Sequence, residues 1–229
     1  MPFLLALDSS TDTMALALVT PGQDRVVDAA GGAQASAQLL PQARALLAAE
    51  GVAMAQLQAI AFGQGPGAFT GLRTACAVAQ GLAFGLNLPV LAIDSLMLVA
   101  EDARAQGAGD DIWVAMDARI GEIYAARYRW SGDAWQVLEA PALYAPEALA
   151  AHWGRPAAVA GTALTAYAAA LGTLDKAWPQ AHSRAAALAA LARAAWQRGE
   201  GRDAAEALPV YVRDKVALTT AEREQKAVP

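Results

Sequence analysis

Apolar and polar positions change their period along this chain. Phe3–Asp8, Met14–Thr20 and Asp24–Ala29 are short apolar-rich runs separated by the polar turns Asp8–Thr13 and Pro21–Gln23, and they predict three consecutive strands. From Gln38 to Glu50 the spacing becomes helical: Leu39, Ala43, Leu46 and Leu47 share a face, and Gly51 stops the run. Pro41 is then expected in or near the first turn, where a missing N–H is tolerated. Leu57–Gly63 predicts a fourth strand, Thr70–Gly85 a second helix, and Pro89–Ile93 a fifth strand. Ser95 is positioned to cap a third helix ending near Ala105, which makes the order βββαβαβα.

Ala105–Asp111 is rich in glycine and aspartate and reads as a linker. Beyond it, Ile112–Asp117, Glu122–Trp130 and Ala134–Leu138 predict strands, the first two joined by the turn Ala118–Gly121. A short helix after Pro146, a strand at Ala157–Ala160 and a helix at Thr162–Leu171 follow. A β-rich start followed by alternating α and β thus occurs twice, the pattern of a duplicated α/β architecture. Arg184–Arg198 is an alanine-rich helix ended by Gly199, and Leu208–Pro229 reads as a short extended piece with a polar final helix.

Composition narrows the chemistry. The 229 residues are 56% hydrophobic and 17% charged, which fits a well-buried globular protein and not a disordered one. The net charge of −5, with no run of lysine or arginine, makes a direct grip on nucleic acid a poor fit and any RNA role indirect. One cysteine, Cys76, excludes an intrachain disulfide. The two histidines, His152 and His182, have no metal-ligand spacing and read as surface or helix-end residues, so no metal site is expected. The N-terminus lacks the features of a signal peptide. Thr74–Ile93 and Pro156–Leu174 are uncharged but carry too many polar, proline or alanine positions to read as membrane spans. A cytoplasmic protein is expected.

Two clusters hold candidate chemistry. Asp8, Ser9, Ser10 and Thr11 end the first strand at a hydroxyl-rich turn. Such a turn can hold phosphate oxygens, with the aspartate reaching Mg²⁺ through water, or serve as a hairpin turn stabilised by its own hydrogen bonds. Asp117, Arg119 and Glu122 form the second cluster, where the second half begins. No serine, cysteine or histidine arrangement makes a nucleophile.

Gly63–Ser95 is the most distinctive stretch. Gly65, Pro66 and Gly67 punctuate a loop, Thr70 is placed to cap the next helix, and Arg73 adds a cation; Walker-type loops instead end in Gly-Lys-Ser/Thr. The helix carries Thr74, Ala75, Cys76, Ala77, Ala79, Gly81 and Ala83, small residues suited to close packing. The spacing leaves open whether the neighbour lies in the same domain or in another chain.

The segments LLALDSSTDTMALAL, LLPQARALL, GQGPGAFTGLRTACAVAQGLA, MDARIGEIYAARY and PVYVRDKVA resemble the bacterial TsaB (YeaZ-type, formerly glycoprotease-like) proteins of the actin/sugar-kinase/Hsp70 superfamily. The resemblance covers almost the whole chain, is most specific at GPGxFTGLR, and is loose from about Leu138 to Glu206. It implies a duplicated, ribonuclease H-like α/β fold of two mixed sheets flanked by helices. The halves are expected at 1–106, joined by a C-terminal helix at about 208–229, and at 107–207. It also implies a non-catalytic dimerisation subunit in the synthesis of N6-threonylcarbamoyladenosine at position 37 of tRNA.

In that role the chain binds the catalytic paralogue TsaD, works with the ATPase TsaE, meets tRNA only through the complex, and pairs with its own copy when alone. ATP and Mg²⁺ are expected to serve the complex, with no cofactor held tightly by this chain. The partner surface implied is Phe69, Thr70, Leu72, Arg73, Cys76, Ala79, Gln80, Leu82 and Ala83. The catalytic paralogue carries two metal-binding histidines where Ser95 and Val99 stand here, and a hydroxyl and an alkyl group cannot replace two imidazoles. The rival expectation is a free-standing enzyme of the superfamily, a small-molecule kinase or metallopeptidase, with Asp8 and Asp117 as its candidate carboxylates.

Overall fold

A computed structural model describes residues 2–213. The first half is a five-stranded sheet ordered β3-β2-β1-β4-β5, made of β1 (Leu4–Asp8), β2 (Thr13–Val19), β3 (Arg25–Ala30), β4 (Ala59–Gly65) and β5 (Val90–Asp94). β1 runs antiparallel to β2 and parallel to β4. The strict alternation of the strands sets both faces. Leu5, Leu7, Leu16, Ile60 and Phe62 point to α1 (Ala35–Ala49) and α2 (Phe69–Leu86), while Leu4, Ala6, Ala15, Ala17 and Leu91 point the other way.

The second sheet is ordered β10-β9-β6-β7-β8, from β6 (Asp111–Asp117), β7 (Ile123–Trp130), β8 (Trp135–Tyr144), β9 (Val159–Ala160) and β10 (Ala177–Trp178). β6 pairs antiparallel with β7 and parallel with β9, as β1 does with β2 and β4. The two sheets therefore repeat one plan, a duplicated actin- and ribonuclease H-like α/β fold with helices against both sheets. α3 (Ser95–Ala105) joins them, placing Leu98 in the first core and Leu96, Val99 and Ala103 in the second. α4 (Pro146–Trp153), α5 (Ala163–Ala166) and α6 (Ala168–Leu171) complete the second half.

Several local expectations are corrected. α7 (Arg184–Gln197) buries Ala185, Leu188 and Ala192 against Leu4, Ala6 and Ala15. Ala204 packs in the other core of the first half, and Arg202 bridges to Val90. The chain thus returns to the first half at residue 184, not at 208, and the second half is shorter than 107–207. The polar helix expected at the C-terminus falls mostly at 214–229, outside the described residues. α1 begins three residues early, because buried Ala35 and Leu39 add a turn to its apolar face, so exposed Pro41 lies inside the helix and not in its first turn.

The helix expected at Thr162–Leu171 breaks at Tyr167, whose hydroxyl reaches back to Asp117 (2.8 Å). β8 runs on to Tyr144 through Pro141, tolerable because β8 is an edge strand and its pairing with β7 shifts register between Ala142 and Glu139. Two-residue β10 has no sequence period to announce it.

Candidate functional site

β1 delivers Asp8 to the bottom of the cleft between the halves, and α7 delivers Arg184 opposite it. Asp8 is fully buried. Its Oδ1 accepts from the Ser10 amide (3.0 Å), Ser10 Oγ (2.7 Å) and Arg184 Nη2 (3.0 Å), and its Oδ2 from Ser95 Oγ (2.8 Å). Gly63 is required there, since a Cβ would fall 1.7 Å from Asp8 Oδ2. Ser9 donates to the Gly71 carbonyl (2.8 Å), and the Ala68 amide donates to the Ser10 carbonyl (2.7 Å). Thr11 Oγ1 bonds to the backbone of Thr13. The hydroxyl-rich turn is thus fastened beneath the glycine-proline loop, with its hydrogen-bonding capacity largely spent inside the protein.

Above it lies a cavity of about 650 Å³, mostly apolar, lined from both halves by Ser10, Thr11, Leu72, Val99, Asp117, Arg119 and Tyr124 among others. Of the residues expected to form a nucleotide site, Ser10, Thr11, Asp117 and Arg119 line it, while Asp8 and Ser9 are buried beneath. Asp117 Oδ1 accepts from the Arg119 amide and from Tyr167. Arg119 reaches across the mouth to Asp12 (2.8 Å), a well-exposed pair of the kind worth little by itself. Arg119 and Ile120 both have positive φ (63° and 56°), an uncommon conformation that for β-branched Ile120 is strained.

Glu122, the third member of the second cluster, is not among the cavity-lining residues and pairs with Arg213, which is. Ser95 is not a helix cap: Asp94 caps α3 by accepting from the Leu96 and Met97 amides, leaving Ser95 free to bind Asp8 and accept from Gly65. Burial holds the Asp94 carboxyl above its usual range, against the opposing pull of the Tyr128 hydroxyl and the two amides. Ser95 is engaged with Asp8 and Gly65 and Val99 offers no donor atom, so these two positions supply no pair of metal ligands.

The second candidate is α2 itself. Its N-cap is Ala68, not Thr70, which sits exposed in the first turn. The residues expected to meet a partner divide by face. Leu72, Cys76, Ala79 and Ala83 are buried within this chain, the last three packing against its own first sheet, so they are withdrawn from the partner surface. Burial, reinforced by nearby Asp8, pushes the Cys76 thiol up to about 12, well out of the reactive range. Gln80 is half-buried and donates to the Ala204 carbonyl (3.2 Å), and Leu82 is half-buried. Phe69, Thr70 and Arg73 are exposed.

They continue along an outward stripe of Ala77, Gly81, Phe84 and Gly85, of which the sequence singles out Ala77 and Gly81 only as small residues and Phe84 and Gly85 not at all. Phe84 is 59% exposed and Phe69 43%. Among the described residues a Cβ at Gly81 or Gly85 would meet nothing within 4 Å, so their packing requires neither glycine. In a helix interior each costs about 1 kcal/mol relative to alanine. Beside the stripe, a groove of about 460 Å³ runs between α1 and α2, lined by Leu40, Leu47, Met54 and Leu82. Its legible signal was the pair of aromatics off the buried face of the helical period.

A duplicated α/β fold with a closed carboxylate and an open helix face narrows the class, and comparison with known proteins fixes it. The family model described as "TsaD: tRNA N6-adenosine threonylcarbamoyltransferase" matches residues 23–221, and the chain belongs to that family. Within it, this is a TsaB- or YeaZ-type protein. "YeaZ from Pseudomonas aeruginosa" is similar at 39% identity with a TM-score of 0.83, covering 92% of this chain and 100% of that one. A second Pseudomonas aeruginosa structure, titled as an uncharacterized protein with similarity to peptidase YeaZ, aligns at 37% identity and a TM-score of 0.85 over 93% of this chain and 100% of that one.

Two curated relatives carry the description "tRNA threonylcarbamoyladenosine biosynthesis protein TsaB". The protein of Haemophilus influenzae is 39% identical over 53% of this chain and 51% of its own length; that of Escherichia coli is 33% identical over 63% of each. The chain thus spans between half and two thirds of the curated relatives it matches. Among the described residues no helix is long and apolar enough to cross a membrane.

Proposed function

We propose that this chain serves tRNA threonylcarbamoyladenosine biosynthesis as a non-catalytic subunit that docks the catalytic paralogue, TsaD, through the outward face of α2. The observation that carries the proposal is the stripe Thr70–Arg73–Ala77–Gly81–Gly85 flanked by Phe69 and Phe84: two glycines that the packing of the described residues does not need, beside two exposed aromatics. Close approach of a second helix accounts for both. Paralogues of one fold can present matching helix pairs about a pseudo-twofold axis, and the same face would let two copies of this chain pair when the paralogue is absent. The groove between α1 and α2 would receive the partner's apolar side chains.

The rival reading, a free-standing kinase or metallopeptidase, has less support. Asp8 is pinned by Arg184, Ser10 and Ser95, and Asp117 by Tyr167 and Arg119. Neither carboxylate stands ready as a base or as an Mg²⁺ ligand, so this chain alone would hold no nucleotide tightly, ATP and Mg²⁺ serving the complex and its ATPase, TsaE. Transfer RNA would then meet the assembly chiefly through other subunits, in the cytoplasm.

Reconstitution tests this. The purified chain alone should transfer no threonylcarbamoyl group to tRNA, and adding it to the paralogue and the ATPase should raise product formation. Turnover by this chain alone, or a complex equally active without it, would overturn the proposal.

A further inference from the structure

Residues 208–213 cross from one half of the molecule to the other along the start of α2. On the first half, the Val210 amide donates to the Gln64 carbonyl (2.7 Å), and the chain is built to admit that approach. Gly65, at φ +110°, faces the Val210 carbonyl so closely that a Cβ would fall 2.7 Å from its oxygen. Next, the Tyr211 ring packs on Phe69 with centroids 5.4 Å apart, and its hydroxyl accepts from Arg73 Nε (2.8 Å). The Arg73 guanidinium lies 3.8 Å over the Phe69 ring. Two residues on, Arg213 grips the second half: Nη2 donates to the carbonyls of Ala118 (3.1 Å) and Arg119 (3.3 Å) and to the Glu122 carboxylate. Val212, between them, packs on the second half's core.

We infer that this strap is a third element of the docking face and ties docking to the closed arrangement of the two halves. The inference rests on the docking reading above. Tyr211 is 45% exposed, level with Phe69 at 43%, so the aromatic end of the α2 stripe is a composite of helix and strap. Exposed tyrosine and arginine at the end of an apolar stripe are residue types enriched among binding anchors. The two Nη groups of Arg73 form no hydrogen bond among the described residues, so they are free to meet a partner's acceptor.

The occupant is a subunit of the same duplicated fold. It would lay an apolar helix along Gly81 and Gly85 and offer a carboxylate to Arg73. Because Arg213 is largely covered (12% exposed), it would act through strap position and not by contact with the partner. A partner that needs Tyr211 in place favours the state in which Arg213 is latched, and by linkage the latched state favours the partner.

Affinity for the purified paralogue, measured by calorimetry on four variants, tests this. Gly81→Arg reports on the docking reading alone. Tyr211→Ala should weaken docking about tenfold, and Arg213→Gln and Glu122→Gln should each weaken it by a smaller but matching factor, within the range of about 5–150-fold typical of coupled sites. Circular dichroism should show each variant folded, and Tyr211→Phe, which keeps the ring, should dock more tightly than Tyr211→Ala. If Gly81→Arg abolishes docking while the Tyr211 and Arg213 variants bind like the parent, the strap inference is overturned and the docking reading stands. If Gly81→Arg itself binds like the parent, the docking reading fails and the inference with it.

Discussion

Ala79 and Gly81 lie two residues apart on α2, yet they belong to different surfaces. Ala79 is fully buried against the sheet, and Gly81 is exposed, with no atom of the described residues within 4 Å of a would-be Cβ. Both are small, so residue size alone marks a close approach without saying by what. On the inner face the approaching surface is Leu5, Leu7 and Phe62 of this chain. On the outer face nothing among the described residues approaches, and there smallness is a cost that their packing does not return. A stripe of small residues becomes evidence for a partner only after the positions used by the fold itself are removed.

The largest effect should come from the inner face. Ala79→Arg places a charge in a packed core, where overpacking costs about 1–3 kcal/mol and an unpaired buried charge about 3–5 kcal/mol more. Denaturant titration should find the variant unfolded or close to it. A stably folded Ala79→Arg would mean the helix can roll to expose this face, and the division between faces would collapse.

Asp8→Ala carries the comparison to the cleft. It strips four donors of their acceptor and leaves Arg184, whose Nε already lacks a partner, as an uncompensated buried cation, with an expected loss of about 3–5 kcal/mol. A near-neutral change in chemical denaturation would show that the carboxylate is held for ligand binding and not for the fold.

Phe84→Ala tests the outer face. Stability should stay within about 0.5 kcal/mol, as for exposed positions generally. Affinity for the paralogue should fall by about tenfold, corresponding to about 1.4 kcal/mol. A smaller effect still is expected at Cys76. Its buried, high-pKa thiol should resist a soluble thiol reagent in the native protein and react fully on unfolding, and rapid native labelling would put it on the surface after all.

The order of elements and the duplication were legible in the sequence because β1, β2 and β4 are apolar runs bounded by turn residues. The destination of α7 was not. Its alanine-rich face suits either half, and only the complementary small side chains Ala6, Ala15 and Ala17 decide where it packs. Tyr167 likewise looked like a helix interior, and a hydrogen bond to a residue 50 positions away broke the helix there. At the candidate site, the sequence pointed to α2 but placed Leu72, Cys76, Ala79 and Ala83, which are buried within this chain, on its partner face. Small residues have too little hydrophobic contrast for period alone to orient a helix between two apolar neighbours. Phe84, the residue with enough contrast to mark the outer face, was not singled out.

Gly81→Arg is the most direct test of the docking face. The added Cβ meets no atom of the described residues and arginine is a better helix former than glycine, so the folded protein should be unchanged or up to about 1 kcal/mol more stable. Titrated against the purified catalytic paralogue, it should show no complex where the parent chain binds. A Gly81→Arg protein that is folded and binds the paralogue with parental affinity would contradict the account.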